Sequence, residues 1–137
     1  MAGNDPDNTI SNKKRILVID DEADFLEITK LNLEKMGNYE VMTLPDVGGM
    51  IEKLHLFRPD LILLDILMPE IDGLRACEIL NADPIGKNTP IIILSALTRD
   101  QDKLKAYKLG VVDYLSKPIE KNNLVARIEK ALQFKQR

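Results

Sequence analysis

A chain of 137 residues, 45% hydrophobic and 30% charged, fits one globular domain that can build its own core. One cysteine rules out an internal disulfide framework and a cysteine-based zinc cluster. A net charge of −3 argues against a basic surface for nucleic acid or anionic membrane. Apolar runs such as Ile91 to Leu94 fall far short of the roughly 18 residues a membrane span needs, and the polar start lacks the apolar stretch of a signal peptide. A cytoplasmic location is therefore expected.

Residues 1–13 read as a disordered leader, and a single domain is expected over 14–135. Ile16 to Ile19 is continuously apolar and branched, the pattern of a strand buried on both faces. Ala23 to Met36 reads as a helix. Glu27, Lys30 and Glu34 share one face, and Phe25, Thr29, Leu33 and Met36 share another, with Gly37 suited to a left-handed closing position. Tyr39 to Leu44 is a weaker strand candidate. Val47 to Phe57 reads as a helix weakened by Gly48 and Gly49. Leu61 to Leu64 repeats the buried-strand pattern, Asp72 to Ala82 reads as a helix stopped near Pro84, and Ile91 to Leu94 is a third buried strand. A polar-rich helix comes next over Asp100 to Leu109 and runs into Gly110. Val111 to Leu115 is the second weak strand. Leu124, Val125, Ile128, Ala131 and Leu132 mark a last amphipathic helix. Five strands alternating with five helices place the chain in the α/β class, with a doubly wound five-stranded parallel sheet built from right-handed crossovers.

The residues just beyond the strands are more informative than the strands themselves. The first strand ends in Asp20 and Asp21, the third in Asp65, the fourth in Ser95, and the fifth leads into Ser116, Lys117 and Pro118. In an open parallel sheet ligands bind beyond the carboxyl ends of the strands, so these residues should converge. Three gathered carboxylates repel one another, and without a cation at least one pKa would rise. An all-oxygen set with room for water suits Mg²⁺. Lys117 and the Ser95 hydroxyl add groups that answer phosphoryl oxygens. That is the equipment of phosphoryl transfer, and a shielded carboxylate can be its nucleophile. In the strand order 2-1-3-4-5 the third strand lies between the first and fourth. Asp65 then sits centrally as the nucleophile, with Asp20 and Asp21 on the metal side.

Four stretches, Ile16 to Glu22, Leu61 to Gly73, Ile91 to Ala96 and Asp113 to Pro118, together resemble the receiver domain of two-component response regulators, from about Lys14 to Gln133. Chemotaxis receivers are among the folds from which the crevice rule was drawn. The resemblance implies a flavodoxin-like three-layer sandwich. It implies Mg²⁺ at Asp21, Asp65 and the backbone carbonyl of Leu67, with Asp20 assisting, and phosphate contacts from Ser95, the Ala96 amide and Lys117. Tyr114 matches an aromatic that changes rotamer together with Ser95, and Lys117–Pro118 matches a peptide that is usually cis. Leu67 and Leu97 match positions bordering the path of a hydrolytic water, which as aliphatic side chains they would slow. The implied function is a phosphoacceptor switch rather than an enzyme. It would accept a phosphoryl group on Asp65 from a histidine kinase or a histidine phosphotransfer protein, catalysing only its own phosphorylation and slow dephosphorylation. The signal would leave through the face of the fourth helix, fifth strand and fifth helix to an effector protein, with a homodimer first sought there and no direct contact with nucleic acid or membrane.

The sequence departs from the family pattern over Leu44 to Gly49 and at Val111 and Val112. Three other functions are weighed. A phosphohydrolase of the haloacid dehalogenase kind places its nucleophile after the first strand in an Asp-x-Asp pattern. Here Asp20 and Asp21 are adjacent, Glu22 stands two after Asp20, and no room is left for a cap. A flavodoxin would need a hydroxyl- and glycine-rich phosphate loop where this chain carries acids. A docking-only receiver would not need the acidic pair, Asp65 and Lys117. Blander roles are open to single residues: Ser95 as a helix cap, His55 on a solvated face, Cys77 as a buried small hydrophobe, and Met68, Pro69, Asp72 and Gly73 as shapers of a loop.

Overall fold

The computed structural model describes residues 12–67 and 73–134. Five strands alternate with five helices: β1 (Arg15–Ile19), α1 (Ala23–Met36), β2 (Glu40–Leu44), α2 (Met50–Phe57), β3 (Leu61–Leu64), α3 (Gly73–Asn81), β4 (Ile91–Ser95), α4 (Asp100–Lys108), β5 (Asp113–Ser116) and α5 (Lys121–Phe134). All strand pairs are parallel, in the order β2-β1-β3-β4-β5. This is the expected doubly wound sheet.

The period-2 geometry of a strand explains the continuous apolar runs, because both faces need covering. Leu17, Ile19, Ile62, Leu64, Ile91 and Ile93 face one layer, with Leu54 of α2, Leu80 of α3 and Ala106 of α4. Ile16, Val18, Leu61, Leu63, Ile92 and Leu94 face the other, with Leu33 of α1 and Ile128 of α5. Burial of each such side chain contributes about 1.5–3 kcal/mol, so two apolar layers clamp the sheet and fix the ends of its central strands. The grip is uneven among the helices: α1 buries Leu26, Thr29 and Leu33, whereas α4 buries only Asp102 and Ala106 of its nine residues.

Several local expectations need correction. Gly37 does not take a left-handed conformation: its φ is −99°, and the positive φ falls on Asn38. Gly37 is small for another reason, since a Cβ there would lie 2.3 Å from the Tyr39 ring. Helix α2 starts at Met50 rather than Val47, because Gly49 takes a left-handed φ of 70° that ends any helix running in from Val47. Strand β5 begins at Asp113 rather than Val111. A 3₁₀ turn at Gly86–Asn88 was not foreseen. Asp83 organises it, its carboxylate accepting the backbone N–H groups of Ile85 and Gly86. Residues 1–11 of the expected 1–13 leader, and the loop-shaping roles of Met68, Pro69 and Asp72, lie outside the described residues. Gly73 opens α3 pressed against Ile66: a Cβ would lie 2.1 Å from the Ile66 Cα. Among the described residues no helix is long and apolar enough to cross a membrane.

Candidate functional site

The parallel register brings the two acidic strand ends level. Ile19 of β1 is paired with Leu64 of β3, so the next residues, Asp20 and Asp65, lie side by side. Each is anchored by its own backbone: the Asp20 N–H donates to the Leu44 carbonyl (3.1 Å) and the Asp65 N–H to the Ile19 carbonyl (3.0 Å). Asp20 is 1% exposed and Asp65 5%, while Asp21 faces solvent. One carboxylate oxygen from each of the three lies within 4.8 Å of the others. Such an all-oxygen set could hold a hard divalent cation.

Lys117 comes to this cluster from beyond β5. Its backbone N–H donates to the Ser95 carbonyl (2.9 Å), and its peptide with Pro118 is cis. The ammonium donates to Asp20 Oδ2 at 2.6 Å, Glu22 Oε1 at 2.9 Å and Asp65 Oδ2 at 3.2 Å. It also stands 4.2 Å from the centre of the Phe25 ring. The other oxygens of the buried pair are held locally. Asp20 Oδ1 accepts the Glu22 N–H (2.9 Å) and Asp65 Oδ1 the Leu67 N–H (2.8 Å).

The charges are unevenly matched. Burial pushes the Asp20 carboxyl above its ordinary range and the Asp65 charge adds to this, against the hydrogen bonds from Lys117 and Glu22. Burial works against the Lys117 ammonium too, but its hydrogen bonds to Asp20 and Glu22, with the charges of Asp20 and Asp65, more than offset it and raise the Lys117 pKa. The contact itself favours both charged forms, but burial outweighs it at Asp20, whereas at Lys117 the carboxylate partners outweigh burial. One ammonium is shared among three carboxylates, so the cation has an acid on every donor while each buried acid has only part of one cation.

Ser95 is the last residue of β4 and wholly buried. It is not a helix cap, since the residue flanking the start of α4 is Arg99. Its Oγ accepts the Leu97 N–H at 3.2 Å. Ala96 is exposed on the bend beyond the strand. Tyr114 is buried on the α2–α4 side of the sheet, and its hydroxyl donates to the Leu97 carbonyl. Burial, then the charges of Asp102 and Asp65, push the Tyr114 hydroxyl pKa up. The two polar groups of Leu97 are therefore held by Ser95 and Tyr114.

The structure thus gathers Asp20, Asp21, Asp65 and Lys117, joins Ser95 to Lys117 through the backbone, and joins Tyr114 to Ser95 through Leu97. Two members of the cluster, Glu22 and Phe25, were missed. Glu22 was legible as the third acid of a run, but Phe25 looked like one more apolar residue of α1. His55 is exposed, with Nε2 2.7 Å from Asp83 Oδ1, and Cys77 is buried.

A family model described as the response regulator receiver domain matches residues 16–129. The DNA-binding dual master transcriptional regulator RpaA of Synechocystis is 36% identical over 120 residues, which are 87% of this chain and 49% of that protein. The alkaline phosphatase synthesis transcriptional regulatory protein PhoP of Bacillus subtilis is 35% identical over 120 residues, 88% of this chain and 49% of that protein. The chain therefore spans about half the length of these relatives. Among solved structures, a CheY-like receiver domain protein from Methanospirillum hungatei superposes with a TM-score of 0.83 at 25% identity, covering 91% of this chain and 98% of that one. A response regulator from Chloroflexus aurantiacus superposes with a TM-score of 0.81 at 30% identity, covering 89% and 99%.

Proposed function

The chain belongs to the response regulator receiver family, and from that premise we propose that Asp65 is its phosphoacceptor, with Lys117 and Ser95 completing the transfer site. The observation that carries this reading is the single Lys117 ammonium reaching both Asp20 (2.6 Å) and Asp65 (3.2 Å) at the ends of adjacent strands. Asp65 attacks the phosphorus, Lys117 meets a phosphoryl oxygen, and the Ser95 hydroxyl and Ala96 amide donate to the others. Ser95 Oγ accepts the Leu97 N–H in this structure, which leaves its own O–H to donate. Asp20, Asp21, Asp65 and the Leu67 carbonyl would hold Mg²⁺, which supplies positive charge where the carboxylates and the phosphoryl group would otherwise repel.

In this reading the donor is a phosphohistidine on a kinase or phosphotransfer protein. The chain is a switch that turns over only its own phosphoryl group, in the cytoplasm. With a net charge of −3, its surface suits an effector protein rather than DNA. Family membership replaces the phosphohydrolase alternative.

Intact-mass measurement tests the assignment. With acetyl phosphate and Mg²⁺ the protein should gain one phosphoryl group. The gain should vanish with EDTA and in Asp65→Asn. Unchanged labelling of Asp65→Asn would refute it.

A further inference from the structure

The Lys117 ammonium has three N–H groups, and carboxylates take all three: Asp20, Glu22 and Asp65. No donor remains for a phosphoryl oxygen, so one partner must be released when the group arrives. Asp20 and Asp65 are nearly inaccessible, whereas the Glu22 side chain is 63% exposed. Glu22 is the carboxylate that water can take over on release. During the exchange the bonds to Asp20 and Asp65 remain, but the third N–H is unpaired until the phosphoryl oxygen arrives, and a contact that occupies no donor would steady the ammonium over that interval.

The Phe25 ring meets that need. It lies 4.2 Å from the ammonium, well inside the range of cation–π attraction. That attraction comes from the ring face and uses no particular N–H, so the cation can turn over the ring while it changes partners. Phe25 is itself held, half-buried against the apolar layer between the sheet and α1 and α5.

We propose that Phe25 is a positioning residue for phosphoryl transfer, its ring holding the Lys117 ammonium while that group trades Glu22 for a phosphoryl oxygen. The proposal rests on Asp65 being the acceptor. In the step concerned, an Asp65 oxygen forms the bond to phosphorus, the bond from phosphorus to the acetate oxygen breaks, and acetate leaves with the electron pair. Phe25 acts only through the cation.

The test is the rate of Asp65 phosphorylation by acetyl phosphate with Mg²⁺, followed by intact mass, in the full chain. Phe25→Leu keeps an apolar side chain but removes the ring, and should slow labelling by about three- to tenfold. Phe25→Tyr keeps the ring face and should stay within about twofold of wild type. In a Lys117→Met background, where no ammonium is present, Phe25→Leu should have no further effect. Wild-type rates in Phe25→Leu would overturn the proposal while leaving the acceptor assignment standing. So would equal slowing with and without Lys117, or a tyrosine variant as slow as the leucine one, since each would mark a packing role. A wild-type chain that gains no phosphoryl group would overturn the acceptor assignment and this proposal together.

Discussion

Leu67 and Leu97 look equivalent in the sequence, two positions beyond Asp65 and Ser95, yet they meet water differently. Leu67 is 55% exposed, whereas Leu97 packs against the core layer that holds Tyr114. Of the two, Leu67 is the one expected to border water approaching a phosphorylated Asp65, since Leu97 is packed away. Leu67→Asn, which can orient a water, should shorten the phosphoryl lifetime by about tenfold, the effect of roughly 1.4 kcal/mol on the barrier. Decay after removal of the donor measures this, and an unchanged lifetime would remove Leu67 from the water's path. Asp20 gives a second prediction at this scale. Its carboxyl is raised above the ordinary 3.8, so between that value and the folded pKa the folded chain binds a proton there that the unfolded chain has lost. Stability from this group is then greatest below that ordinary value and falls as pH rises through the folded pKa. In EDTA, Asp20→Asn should melt higher than wild type at neutral pH and lose that decline, and added Mg²⁺ should raise the wild-type Tm more than the variant's. Thermal unfolding in the two conditions decides it: a variant melting lower in EDTA would mean that Asp20 stabilises the metal-free fold.

The strands were legible because burial on both faces leaves a sequence no room for polar residues, as in Leu61 to Leu64, which is buried throughout. Helix ends were less legible because they depend on single backbone conformations. The Val47 start failed at Gly49, and although α1 ends at Met36 with Gly37 as its cap, the left-handed turn expected of Gly37 is taken by Asn38. The site residues at strand ends could be read from one-dimensional order, since a parallel sheet turns that order into adjacency. The Phe25–Lys117 contact could not, because it depends on which way α1 faces as it leaves the site. Gly73 carries the prediction for this scale. Its N–H donates to the Ile66 carbonyl at 3.2 Å, and a Cβ would collide with the Ile66 backbone. Gly73→Ala should cost about 1–3 kcal/mol or more. It should also slow phosphorylation, by displacing the segment next to Asp65. Denaturant unfolding and the labelling rate should change together, and a variant of unchanged stability would contradict the close packing.

Across the whole molecule the two layers divide the work. Phe25 and Lys117 belong to the end of the sheet gripped by α1, while Tyr114 lies in the layer under α4. The Leu97 peptide, held by Ser95 on one polar group and Tyr114 on the other, links the acceptor end to α4. Phosphorylation should therefore move NMR resonances at Lys105 and Tyr114 as well as around Asp65. Changes confined to the surroundings of Asp65 would cut that link. The displacement is expected to follow the part of the fold held by the least buried apolar surface. Helix α4 buries two of its nine residues, and one of these is a carboxylate, Asp102, tied to the exposed Arg99. Little apolar surface opposes its displacement, whereas α1 and α5 are pinned by leucine and isoleucine. A push of fixed size moves the most compliant part furthest. Amides of α4 should accordingly exchange with solvent deuterium faster than those of α1 and α5 even before any phosphoryl group arrives, so that the route of the message is laid down by the elasticity of the resting protein.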